Sequence, residues 1–225
     1  MVCASPYFAY RHDVDFERAG KSMQFHLTYE GPLKPCGNNN RNTANKHAIR
    51  RALHPQLKRL WEVERNLRAI GERAIDGLEF RGTGRPGPSF LKYLAENRSL
   101  KDYRFVPLVS EELCLWCGLD ILYLRPSPPG QIFQQGDIDN RIKTLFDALK
   151  RPTQLQELGN PYPPPGLDET PFYVLLDDDS LVAKLSVETD MMLEPLIGGM
   201  PQGTDARLII TVTVRPTDSR GHGFW

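Results

Sequence analysis

The stretch GDIDNRIKTLFDALK, residues 136–150, places Asp137 and Asp139 one residue apart at the start of a helical pattern. Lys143 follows Asp139 at helical i, i+4 spacing. A second acidic run, Asp177-Asp178-Asp179, stands between the apolar segments FYVLL and LVAKLSV. Adjacent carboxylates repel unless water or a cation separates them. A hard divalent cation such as Mg²⁺ takes carboxylate oxygens in near-octahedral array and keeps waters for chemistry. Two carboxylates from a helix start and one from a strand start would supply such a set. A lysine one turn along could steady charge building on a phosphoryl group or orient the attacking water. Plainer roles exist for the same residues. Asp137 suits an N-cap, Asp139 suits the positive first turn, and an Asp139–Lys143 pair adds roughly a few tenths of a kcal/mol. Three aspartates in a row also suit a solvated turn.

These residues need elements to hold them. Ile138, Ile142, Leu145, Phe146 and Leu149 form the apolar face of the 136–150 helix, with Asp139, Lys143 and Asp147 in a polar stripe beside it. Asp147 is therefore a candidate supporting partner for Lys143. MQFHLTY (23–29) alternates like a strand and runs into the loop EGPLKPCGNNN. Residues 43–75 show a helical stripe of Ile49, Leu53, Leu57, Leu60, Trp61 and Leu67, with Pro55 breaking the helix or starting its second piece. Residues 81–105 are Gly/Pro-rich and then polar, an expected insertion with one short helix. EELCLWCGLDILYLRP (111–126) fits a buried, central strand with Gly118 as a bulge. Residues 151–171 hold six prolines and predict a long loop. LVAKLSVETDMML (181–193) and ARLIITVTV (206–214) read as further strands.

The expectation is one α+β domain over 1–225, a mixed sheet covered by helices on one face, with insertions at about 76–107 and 151–173. The chain is long enough to bury a sizeable core, and its 25% charged and 40% hydrophobic content is ordinary for a globular protein. Its start carries no export signal, no apolar run is long enough to span a bilayer, and four cysteines are too sparse for a disulfide scaffold, which points to the cytoplasm. The net charge of zero hides an asymmetry. Residues 41–73 carry nine Lys/Arg against three Glu (9 − 3 = +6), and residues 136–205 carry five bases against thirteen acids (5 − 13 = −8). That contrast suits a polyanion site with an embedded metal, and equally two solvated faces that attract each other. His47 and His54, with Lys46, Arg50 and Arg51, either touch phosphates or line a solvated helix face. Cys114-x-x-Cys117 has zinc-knuckle spacing but sits in an apolar strand without a second pair nearby, so a buried thiol is expected.

DIDNRIKTLFDALK followed by LLDDDSLVAKLSV resembles the signature of the RusA family of Holliday-junction resolvases. That family has an Asp-x-Asp-Asn helix start with Lys six residues after the first Asp, then an Asp-Asp-(Ser/Ala)-x-Val turn opening the next strand. PCGNNNRN (35–42) resembles the Asn-Asn-Arg loop after the family's first strand, and the order of elements also fits. The likeness covers roughly 23–60 and 110–215. It implies a Mg²⁺-dependent (or Mn²⁺-dependent) endonuclease acting on branched DNA as a homodimer. Asp137 and Asp139 would be the helix-side metal ligands, Asp179 or its neighbour Asp178 the strand-side one, since three aspartates leave that position ambiguous, and Lys143 the catalytic lysine. Asn39, Asn40, Arg41, Lys46, Arg50 and Arg51 would grip the DNA backbone. The proline-rich segment 151–173 departs from the compact family pattern and puts junction specificity in question more than metal chemistry. The alternative is a catalytically silent protein of the same fold that binds nucleic acid or a protein partner.

Overall fold

The computed structural model describes residues 22–36, 42–75, 87–126, 138–194 and 203–217. Strand β1 (Met23–Pro32) leads to helices α1 (Thr43–Val63), α2 (Arg65–Glu72) and α3 (Phe90–Asn97). Strands β2 (Ser99–Leu100), β3 (Tyr103–Val109) and β4 (Leu115–Arg125) follow, then helix α4 (Ile138–Leu149). The chain ends in β5 (Phe172–Leu176), β6 (Val182–Met191) and β7 (Asp205–Pro216). The class is α+β, as the sequence implies. The strands divide between two mixed sheets, where a single sheet was expected. One has the order β1-β7-β4-β6 and the other β2-β3-β5.

In the larger sheet β7 runs antiparallel to both β1 and β4, and β4 runs parallel to β6. β4 is an interior strand, and its register against β6 slips between Cys117 and Gly118, the bulge that Gly118 signalled. β7 alternates strictly: Ala206, Leu208, Ile210, Val212 and Val214 are buried and the residues between them are half-exposed. That period of two is what one packed face and one wetter face require. The packed face meets α1 through Ile49, Leu53, Leu57 and Trp61.

Pro55 neither breaks nor starts α1, which runs through it. The break falls at Glu64, whose extended backbone closes α1 and whose carboxylate accepts the Leu67 N–H as the cap of α2. The second sheet holds the largest departure from the sequence reading. Part of the expected 76–107 insertion is β3, which is buried along nearly its whole length and pairs in parallel with β5.

The proline-rich segment is likewise built into the fold. Leu158, in the short 3-10 turn Leu155–Leu158, joins Tyr103, Phe105, Phe172 and Val174 in a second small core. The two histidines of α1 stitch the segment down. Tyr173 N–H donates to His54 Nδ1 (2.9 Å), so Nε2 carries the proton and donates to the Asp168 carbonyl (3.0 Å). His47 Nε2 lies 3.0 Å from the Tyr103 hydroxyl, which itself donates to the Pro163 carbonyl (3.1 Å). Both imidazoles stack on Phe172. They neither touch solvent broadly nor stand free to touch phosphate, being 3% and 4% exposed. Cys117 is fully buried, and burial pushes its thiol up to about 12, as expected of a core thiol.

Burial, reinforced by Arg50 and Arg51, pulls His47 from its ordinary 6.5 down to about 3. The unfolded chain therefore binds a proton that the folded protein refuses. This contribution to stability is complete above about pH 6.5 and is lost as pH falls toward 3, at up to about 1.4 kcal/mol per unit. The unfolding free energy, followed by urea titration from pH 7 to 4, should fall steeply in the wild type and less steeply in His47→Gln.

Candidate active site

The site is organised by the exit of β1 and by both ends of α4. Asn45 accepts the Lys34 N–H (3.1 Å) and donates to the Pro32 carbonyl (2.7 Å), fixing the chain as it leaves β1. Arg141 Nη1 donates to the Leu33 carbonyl (2.7 Å), and Cys36 N–H donates to the Asn140 carbonyl (3.0 Å). The segment before the Asn-rich loop is thus tied to the first turn of α4. Asn39, Asn40 and Arg41 lie outside the described residues, but Cys36 brings the chain leading to them beside Asp139 and Lys143.

At that turn Lys143 Nζ donates to Asp139 Oδ2 at 2.7 Å, with both side chains largely exposed. The carboxylate pushes the Lys143 ammonium further above its ordinary range, so it remains charged at neutral pH. It can steady negative charge or donate a proton, and it cannot act as a base. Asp137 lies outside the described residues.

Beyond the far end of α4 the three consecutive aspartates take three different jobs. Asp177 is held by Arg98 (Nη2–Oδ2, 2.9 Å) and Arg151 (Nε–Oδ1, 2.6 Å). Arg98 is also paired with Glu112. Asp178 caps the 3-10 turn Asp179–Leu181 by accepting the Ser180 N–H (2.9 Å). Those Ser180 hydrogen bonds hold its carboxyl below the usual carboxylate range. Asp179 is the most exposed ion-paired member of the run and accepts from Lys150 Nζ at 3.1 Å. Burial lowers the Lys150 ammonium, but the hydrogen bond and charge of Asp179 and the charges of Asp147 and Glu157 outweigh it, and the net shift is upward.

Asp139 and Asp179 are therefore engaged separately, toward opposite ends of α4. Lys150 lies roughly 16 Å further along the helix axis than Asp139, at about 1.5 Å per residue. Asp147 stands between them and turns to Lys46 (2.7 Å) and Lys150 (3.6 Å) in place of the Lys143 partnership expected from spacing. A cleft of about 340 Å³ opens beside these pairs, lined in part by Lys46, Asp147, Lys150, Arg151, Glu157 and Asp178. Among the described residues no three His, Cys, Asp or Glu side chains are grouped so as to hold a metal ion. The exposed carboxylate oxygens of Asp139 and Asp179 are each of the hard-donor type that Mg²⁺ takes, but in this arrangement they do not converge on one position.

Three of the residues expected to grip DNA face the protein. Arg50 is 1% exposed and spends its guanidinium on the carbonyls of Asp147 (2.5 Å), Lys150 (3.1 Å) and Glu157 (3.2 Å). Burial lowers it to about 10, and the charges of Glu157 and Asp147 work against that. Lys46 is 4% exposed and reaches the cleft wall through Asp147. Arg51 donates to Tyr103 Oη (3.2 Å) and the Pro164 carbonyl (2.8 Å) and pairs with Glu169. The signal for inward placement was present: Lys46, Arg50 and His54 repeat every four residues along the flank of the Ile49–Leu53–Leu57 stripe. Lys150 and Arg151 went unnoticed because each is an unremarkable charge in sequence, and only the turn after β5 brings them to the acidic run.

Compared with known proteins, the chain matches no family model, no curated protein and no solved structure.

The division of labour within 177–179 is open to direct test. Asp177→Asn leaves two arginines without their common carboxylate and should cost about 3 kcal/mol or more. Asp179→Asn removes a partly exposed pair and should cost less than about 1 kcal/mol. Urea unfolding of the two variants against the wild type reads both.

Proposed function

We propose that the chain is a divalent-metal-dependent endonuclease of the RusA kind, a homodimer acting on branched DNA. The observation that carries this reading is the first turn of α4, where Asp139 and Lys143 stand paired and exposed. The chain leading to the Asn-rich loop is hydrogen-bonded to Asn140 in the same turn. Cys36, the last described residue before the Asn-rich loop, thus meets the helix start that carries the other part of the signature. In the acidic run structural duties occupy Asp177, while Asp178 and Asp179 are both exposed, the first capping the 3-10 turn and the second paired with Lys150.

In this reading Asp137 and Asp139 would hold Mg²⁺, or Mn²⁺, which supplies a Lewis acid and a water of lowered pKa when bound; Asp179, expected as the third ligand, stands toward the far end of α4 and does not share that ion in this arrangement. The lysines now paired with these carboxylates, Lys143 and Lys150, remain cationic and would face the phosphodiester. Lys143, cationic at neutral pH, suits the developing charge on phosphate. Backbone grip falls to the loop residues Asn39, Asn40 and Arg41, since Arg50 and Arg51 are committed within the fold and Lys46 is buried on Asp147.

The inward turn of those three cations favours a second reading, a catalytically silent protein of the same fold that binds nucleic acid or a protein partner. Metal-dependent cleavage separates the two. With Mg²⁺, the wild type should cut a synthetic four-way junction, and Asp139→Asn should lose at least about 100-fold in rate; a matching loss in Asp179→Asn would show that the acidic turn joins the same ion. Equal activity in wild type and variants rejects the assignment of these carboxylates. Titration of Mg²⁺ or Mn²⁺ should also raise the melting temperature through linkage, with the gain reduced in Asp139→Asn. No metal response in any of these proteins and no cleavage would leave the silent reading.

A further inference from the structure

The two outer strands of the four-stranded sheet are treated differently by the fold. On β1, the Gln56 side chain accepts the Thr28 N–H on Oε1 (3.0 Å) and donates Nε2 to the Thr28 carbonyl (2.7 Å). A side chain thus occupies a peptide group in the position another strand would need. On β6, among the described residues, β4 is the sole pairing strand and lies on one side. β6 spans ten residues without proline, and Ala183, Lys184, Leu185, Ser186, Glu188 and Asp190 are exposed along it. An exposed edge of that length is a template for a further strand.

We infer that β6 pairs antiparallel with β6 of a second copy of this chain, about a two-fold axis through Ser186. A closed two-fold dimer requires the antiparallel sense. The register follows from the residues. With Ser186 on the axis, Lys184 lies opposite Glu188 of the second copy, and the symmetry repeats the pair. Leu185 lies opposite Val187 on the other face, again twice. Leu185 is 48% exposed in the single chain, and this pairing gives it an apolar partner. A shift of one residue sets Lys184 against Val187 or Thr189 and loses both charge pairs. Lys184 Nζ already donates to Asp120 at 2.7 Å, and an ammonium has two further donors for Glu188. The surface rests on the dimer part of the proposed function and is independent of its metal chemistry.

Sedimentation of the full chain across a concentration series, with charge-reversal variants, tests the pairing. Lys184→Glu and Glu188→Lys should each raise the dimer Kd by about fivefold or more, and the double reversal should return it to within about twofold of wild type. Ser186→Cys provides a register test, because two such residues facing across the axis have Cα atoms about 4.5–5.5 Å apart, within disulfide reach. Oxidised Ser186→Cys should give a cross-linked dimer with the bond mapped to that position, and Thr189→Cys should not. Circular dichroism confirms folding of each variant at these exposed positions. A dimer insensitive to both reversals and lacking the Ser186→Cys link overturns β6 as the interface and leaves a dimer by another surface. A chain that stays monomeric throughout the series overturns both the surface and the dimer.

Discussion

The Arg50 guanidinium is the interaction on which the arrangement around the site depends. It leaves α1, lies fully buried, and donates to the carbonyls of Asp147 and Lys150 at the end of α4 and to that of Glu157 in the 3-10 turn. The last carbonyls of a helix have no partner within it and carry partial negative charge. A buried cation there satisfies them while gaining compensation for its own desolvation. One side chain thereby fixes the angle of α4 against α1 and anchors the start of the proline-rich segment. Lys46, one turn earlier on α1, reaches Asp147 from the same side. The basic helix and the acidic half of the chain attract each other, as their opposite charges allowed, and the attraction is spent on a few buried contacts.

A line of alternating charge follows from this docking. Asp139 meets Lys143, Asp147 meets Lys46 and Lys150, and Lys150 meets Asp179. The arginine pair on Asp177 closes the line where β5 ends. Exposure along the line is uneven: Asp139, Lys143 and Asp179 are open to solvent, whereas Lys46, Asp147 and the Asp177 cluster are more enclosed. Cations arriving from solution can compete for the carboxylates at the exposed positions, where each is held by a single lysine. At Asp177 two arginines leave little room for exchange. Exchangeable ion pairs therefore lie at the rim and architectural ones in the interior.

Much of this was legible in the sequence. The alternation of β1 and β7, the apolar face of α4 and the bulge at Gly118 all follow from side-chain periodicity. β3 was hidden because Pro107 and the Gly/Pro-rich stretch before it read as an insertion, whereas the buried pairing with β5 includes Pro107. Pro55 read as a break, yet α1 continues through it. The phosphate-gripping roles given to Lys46, Arg50 and Arg51 followed from charge alone, and charge does not tell a solvated arginine from one that caps a distant helix. The jobs of Asp177, Asp178 and Asp179 could not be separated from three identical letters, because they depend on which cation each meets.

The central claim is that Asp139, now paired with Lys143, takes a divalent ion at the first turn of α4. Anomalous diffraction from crystals soaked in Mn²⁺ addresses this most directly. The account predicts an anomalous peak within coordination distance of the Asp139 carboxylate oxygens, with Lys143 released from them. No Mn²⁺ on Asp139, with Lys143 still paired to it, would contradict it.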